Sequence, residues 1–304
     1  MTDPVHSAVP VSGPDAAAET LVEQSDLWSN AWKYLRRSGF FITGSTLLLL
    51  LIVMALVPQL FAFGKDPRVC DLYVARQGPS AAHWFGTDLQ GCDYYANVIY
   101  GARISLSIGL LSMFGVLLIG VIVGAVAGYF GGIADSILAR LTDVFFGIPM
   151  ILGGMILLSV VAERSVFSVA GALIAFGWMT AMRLVRSSVM TIKQSDYVQA
   201  ATALGASTWR ILVRHILPNA LAPVLVYATI AVGTFIAAEA TLTYMGIGLQ
   251  RPAISWGLQI NDGQARFATT PLLVIFPALF LSASVLGFIM VGDALRDALD
   301  PRRR

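Results

Sequence analysis

Two cysteines, one carboxylate inside a long apolar run, and a string of small residues edged by basic ones carry the chemistry of this 304-residue chain. Cys70 and Cys92 share one polar stretch. On an oxidising side of a membrane, a bond between them closes a loop of about 20 residues and stabilises it by about 3 kcal/mol in the chain-entropy account. Two unrelated thiols fit the same spacing. Glu239 is the lone carboxylate of its apolar run. A charge in hydrocarbon is costly, so it must line a wet path, pair across an interface or hydrogen-bond within its own chain. His6, His83 and His215 are too scattered for a metal site, and no G-x-x-x-x-G-K-[ST] loop is present to cradle nucleotide phosphates. The acidic residues do not pair as general acid–base work requires. The chain reads as no enzyme on its own, without cofactor or metal.

The small-residue string is Gln199-Ala200-Ala201-Thr202-Ala203-Leu204-Gly205-Ala206. Its pattern predicts a short helix over 197–204 whose alanines let another backbone approach closely. Gly205 supplies the positive φ that stops it, and Ser207 is placed to cap a second helix. Arg210 and Arg214 lie four apart on that helix, which Pro218 is expected to end before the next apolar run. Gln199, Ala200, Ala201, Leu204, Gly205 and Ala206 thus form a surface that another protein can grip, with Arg210 and Arg214 at its rim. An ordinary loop with helical propensity fits the same residues. Gly120, Gly124 and Gly128 recur every four residues, a spacing that lets helices pack closely, within the chain or against a partner across a pore. Arg103 stands at the mouth of an apolar run, where it can steer carboxylates, reach headgroups or pair with Asp88 or Asp93.

The elements that must position these residues are membrane helices. The chain is 57% hydrophobic and 12% charged, against about a quarter charged in soluble domains, and its mean hydropathy is +0.74. Six apolar runs are long enough to span, at 41–62, 104–130, 137–161, 166–187, 219–245 and 270–292. Helices are required because lipid cannot satisfy an open backbone. Residues 1–30 have a disordered-tail composition without the basic start of a secretory signal. Lys33, Arg36, Arg37, Arg140, Arg183, Arg186, Lys193, Arg210, Arg214 and the basic tail from Arg296 fall on one side of six spans, which predicts both termini cytoplasmic. The segment 63–103 is then an extracytoplasmic loop, 104–293 a membrane core containing the segment 194–217, and 294–304 a cytoplasmic tail.

The stretch from Gln199 to Gly205, followed by Leu217-Pro218, resembles the Glu-Ala-Ala…Gly…Ile-x-Leu-Pro loop of binding-protein-dependent ABC importer permeases. Gln199 stands where that pattern has Glu, and His215 where it has Ile. His83-Trp84-Phe85-Gly86-Thr87-Asp88, Tyr100-Gly101-Ala102-Arg103, Ala127-Gly128-Tyr129-Phe130-Gly131-Gly132, Ser255-Trp256-Gly257 and Gly292-Asp293-Ala294-Leu295-Arg296-Asp297 are similar, in order, to the C-type subunit of dipeptide/oligopeptide permeases. Cys92 departs from the Arg usual in that box, and Ala96-Asn97 from Ser-Arg. The resemblance implies an all-α integral membrane protein of the type I ABC importer permease fold, six transmembrane helices with a cytoplasmic coupling-helix loop. It also implies a bacterial cytoplasmic membrane and a homologous B-type permease as partner. Two ATPase domains, separate or fused, would hold ATP and Mg beneath, and an extracytoplasmic solute-binding protein would dock above. No nucleic-acid partner is implied. Peptides are the implied cargo; nickel, heme and glutathione importers share the motifs. The rivals are a secondary transporter that works without an ATPase, for which one intramembrane Glu is thin support, and a non-transporting assembly or signalling membrane protein.

Overall fold

The computed structural model describes residues 31–299; the expected tail at 1–30 and residues 300–304 lie outside them. After a helical turn at 31–35 the chain forms α1 (Gly39–Leu56), α2 (Tyr94–Phe130), α3 (Gly132–Phe146), α4 (Met150–Val160), α5 (Val166–Lys193), α6 (Asp196–Ala203), α7 (Thr208–Tyr244), α8 (Trp256–Gln264) and α9 (Leu272–Leu299). Among the described residues there is no strand. Five of the helices are long and apolar enough to cross a membrane, and α3 with α4 makes a sixth span if the pair, bent by 81°, is counted as one.

That bend divides the run expected at 137–161 into two helices. Helix α3 starts earlier, at Gly132, and the chain breaks at Gly147-Ile148-Pro149. Pro149 has no N–H to continue the ladder and disfavours a helical conformation at Ile148. Three other boundaries move for similar physical reasons. Helix α2 begins at Tyr94 rather than 104, because Asp93 accepts the Ala96 N–H at 3.0 Å as a cap and the first turns are buried in the bundle. The loop expected at 63–103 therefore ends at 93. Helix α5 runs on to Lys193, whose Nζ donates to the Tyr129 carbonyl at 2.6 Å. Helix α9 continues to Leu299, so 294–299 is helix rather than tail, with Ala294 and Ala298 packed on Ala31 and Leu35.

In lipid, close packing rather than water exclusion holds helices together, and α2 shows how. A Cβ on Gly120 would stand 2.6 Å from the Ala181 Cβ, one on Gly124 2.6 Å from the Met182 carbonyl oxygen, and one on Gly128 2.8 Å from the Arg186 carbonyl oxygen. All three glycines thus face α5 of the same chain. Arg186 Nη2 donates to Asp135 Oδ2 at 2.6 Å, and Arg183 Nη2 to Asp143 Oδ1 at 2.7 Å, tying α5 to α3. One end of the bundle carries the loop 57–93, the start of α2 and α8. The other carries the segment between α5 and α7, held by a cluster of Ala125, Val185, Val189, Val198, Ile211 and Ile216.

Candidate functional site

Helix α6 is short and has a single buried residue, Val198, which seats it on the cluster beneath α5 and α7. Ala200, Ala203 and Leu204 face outward, and Ala201 and Ala206 are half-buried. The helix ends in a Schellman turn: the Gly205 N–H donates to the Thr202 carbonyl at 3.0 Å and the Ala206 N–H to the Ala201 carbonyl at 3.1 Å. That closure puts Gly205 at φ +80°, a region that favours glycine. Gln199 Nε2 donates to the Gln194 carbonyl at 2.9 Å, anchoring the first turn. Ser207 occupies the cap position of α7, but its side chain makes no capping bond.

Beyond the turn the structure corrects the reading of Pro218. The chain does not break there. Residues Ile211–Ile216 widen into a π turn, and the Leu217 N–H reaches back five residues to the Leu212 carbonyl. The wider turn accommodates a residue without an N–H, so α7 passes through Pro218 as one helix. Arg210 and Arg214 are exposed on this first part of α7. Two large apolar side chains stand out beside them: Leu204 is 88% exposed and Trp209 74%. Trp209 is absent from the residues singled out by sequence, although an aromatic residue in a polar stretch was the available signal. The surface presented at this end is small-residue helix, tight turn, two apolar prongs and two guanidinium groups.

Glu239 is 0% exposed. Thr243 Oγ1 donates to its Oε1 at 3.0 Å and Ser105 Oγ to its Oε2 at 3.2 Å. Ser105 also accepts the Trp256 N–H at 3.2 Å, so the carboxylate ties α7 to α2 and to the start of α8 within this chain. Arg103 pairs with neither Asp88 nor Asp93. Its Nε and Nη2 donate to the Ala55 and Leu56 carbonyls at 2.9 Å, satisfying the open C-terminus of α1. Asp93 is taken instead by Lys65 Nζ at 2.6 Å and His83 Nδ1 at 2.9 Å. Burial pushes the Asp93 carboxyl up, but hydrogen bonds from Lys65, the Ala96 N–H and His83 outweigh it and hold the group below the usual carboxylate range. Cys70 and Cys92 are bonded, with Cα atoms 4.0 Å apart, and fasten the loop to the start of α2. No cluster of metal-ligating side chains occurs among the described residues.

The bundle of spans thus carries an exposed elbow at one end and a disulfide-tied loop at the other. Residues 120–304 match the binding-protein-dependent transport system inner membrane component. The chain belongs to that family. The permease is 38% identical to the oligopeptide transport system permease protein OppC of Bacillus subtilis (strain 168), over 97% of this chain and 96% of that one. It is 39% identical to the dipeptide transport system permease protein DppC of the same organism, over 90% and 86%. It is 35% identical to the glutathione transport system permease protein GsiD of Escherichia coli O157:H7, over 98% and 96%. A chain from the crystal structure of an amino acid ABC transporter with histidines shares the fold, with a TM-score of 0.52 and 16% identity over 69% of this chain and 95% of that one. The permease is a non-catalytic, multi-span membrane component of the peptide/glutathione type.

Proposed function

We propose that this permease forms half of the translocation pathway of an ATP-driven importer of di- and oligopeptides in a bacterial cytoplasmic membrane, paired with a homologous permease. Both termini and the segment 194–217 face the cytoplasm, and the loop 57–93 faces outward toward a solute-binding protein. The observation that carries the reading is the exposed α6–Gly205–α7 elbow. Its outward alanines, Leu204, Trp209, Arg210 and Arg214 form one protruding surface at the end of the bundle where α9 also finishes. Two ATPase domains, which hold ATP and Mg, clasp that elbow. Their closure moves α6 and α7 as rigid bodies, and the cavity between the two permeases switches from outward- to inward-facing. Full-length likeness to the oligopeptide and dipeptide permeases supports the cargo assignment. The glutathione permeases among the relatives favour a second cargo, itself a small peptide.

The test is reconstitution of this permease with its partners in vesicles, supplied with ATP while the proton gradient is collapsed. Uptake of a labelled dipeptide that persists supports the reading, and competition by glutathione ranks the two cargoes. Uptake that dies with the gradient assigns the chain to the ion-coupled class instead.

A further inference from the structure

A cavity of about 360 Å³ opens at the loop end of the bundle, remote from the coupling elbow. Its size falls in the range of about 300–1,000 Å³ in which proteins hold small ligands. One wall comes from the disulfide-tied loop, with Arg68, Asp88 and Gln90, and the other from the stretch around α8, with Arg251, Gln259 and Asp262. Arg251 bolts the walls together: its Nη1 donates to Gln90 Oε1 at 2.8 Å and its Nη2 to Asp262 Oδ2 at 2.7 Å. The charge of Arg251 is thereby used within the wall.

Two groups remain to recognise something else. Arg68 is exposed and enters no ion pair among the described residues. Asp88 spends one carboxylate oxygen on the Gln90 and Cys92 N–H groups, both at 2.8 Å, and the other makes no bond among the described residues. Gln259 is only 8% exposed, and its Nε2 donates to the Asn97 carbonyl at 2.7 Å, which ties α8 to α2 behind the cavity. The site therefore offers a guanidinium for a carboxylate, and a carboxylate for an ammonium, on an otherwise apolar surface.

We infer that this cavity binds a small zwitterion of di- or tripeptide size, an entry station for cargo on the outer side of the permease. The inference rests on the cargo reading above and adds a place to it: the peptide is held by this chain before it enters the pathway between the two permeases. Arg68 takes the C-terminal carboxylate, and Asp88 takes the N-terminal ammonium.

The test uses the full chain in lipid nanodiscs, titrated calorimetrically with dialanine, N-acetyl-dialanine and dialanine amide. Dialanine is expected to bind saturably, and each blocked analogue about tenfold or more weaker, the loss of one charge-assisted contact. Arg68→Gln leaves the fold intact, since its side chain holds no partner among the described residues, and makes dialanine and its amide bind alike; Arg68→Lys restores part of the difference. Asp88→Asn keeps the oxygen that accepts the two backbone N–H groups and removes the preference for the free ammonium. Dialanine uptake by the assembled transporter is measured alongside. Normal uptake with no saturable binding, or with binding that ignores the blocking groups and both variants, overturns this inference and leaves the cargo reading standing. Selective zwitterion binding without dialanine uptake overturns the cargo reading and keeps the site, and the loss of both overturns both.

Discussion

Replacing Gly205 with valine probes the coupling elbow at the position where its backbone is least ordinary. Gly205 sits at φ +80°, and no atom lies within 4 Å of where a Cβ would stand. A Cβ at this position thus meets nothing, and the strain of the substitution lies in the backbone. A left-handed conformation costs an L-residue about 1–2 kcal/mol, and a β-branched side chain lies at the upper end of that range. This shifts the turn away from its native closure by a factor of about 5–30. Only the two turn bonds from Gly205 and Ala206 are at stake, so insertion into the membrane and global unfolding stay close to the parent. In the reconstituted transporter, peptide uptake per ATP hydrolysed should fall by about the factor that the turn loses. Gly205→Ala should fall between, and Gly205→Asn, which tolerates the left-handed region, should stay near the parent. Unchanged uptake in the valine variant, or asparagine as damaging as valine, refutes the docking role of this elbow.

Gly124→Leu sets a side chain 2.6 Å from the Met182 carbonyl oxygen and 2.8 Å from the Val185 Cβ, so α2 and α5 must separate. A loss of about 1–3 kcal/mol is expected, read as a lower unfolding temperature in detergent. Glu239→Leu strands the Ser105 and Thr243 hydroxyls and should cost about 1–3 kcal/mol, whereas Glu239→Gln keeps an acceptor oxygen for one of the two hydroxyls and should melt between the parent and the leucine variant; equal melting of the two variants refutes the bonded arrangement. Because Asp93 titrates below its ordinary range, it stabilises the loop 57–93 above about pH 4 and loses that contribution as pH falls through the lowered value. The Trp84 emission, isolated by difference against Trp84→Phe, should therefore shift on acidification in the parent and not in Asp93→Asn. Non-reducing mass spectrometry should find Cys70 linked to Cys92, and Cys70→Ser should loosen the loop by about 3 kcal/mol in its hydrogen exchange.

The spans were legible because their apolar runs are long and the charges between them are few. The helix over 196–203 and the turn at Gly205 were legible because alanines favour a helix and glycine takes the left-handed turn without strain. What sequence misjudged were places where packing overrides a local signal. Tyr94 to Arg103 is too polar to read as part of a span, yet Asp93 caps it and α8 covers it. Pro218 reads as a stop, but an extra residue in the turn before it lets the helix continue. The 81° break in the third span did have a signal, Gly147 and Pro149 two residues apart, which a hydropathy window averages away. Glu239 left several readings open because its partners come from helices 134 residues apart in sequence as well as from its own.

The unbroken course of α7 has a mechanical consequence. At 1.5 Å per residue its 37 residues make a rod of about 55 Å, with Arg210 near one tip and Tyr244 at the other. Tilting such a rod by about 5° about one tip swings the opposite tip by about 5 Å. A small nudge at the Arg210 end is thus delivered to the Tyr244 end by a single lever, with Glu239 gripping it close to that far tip.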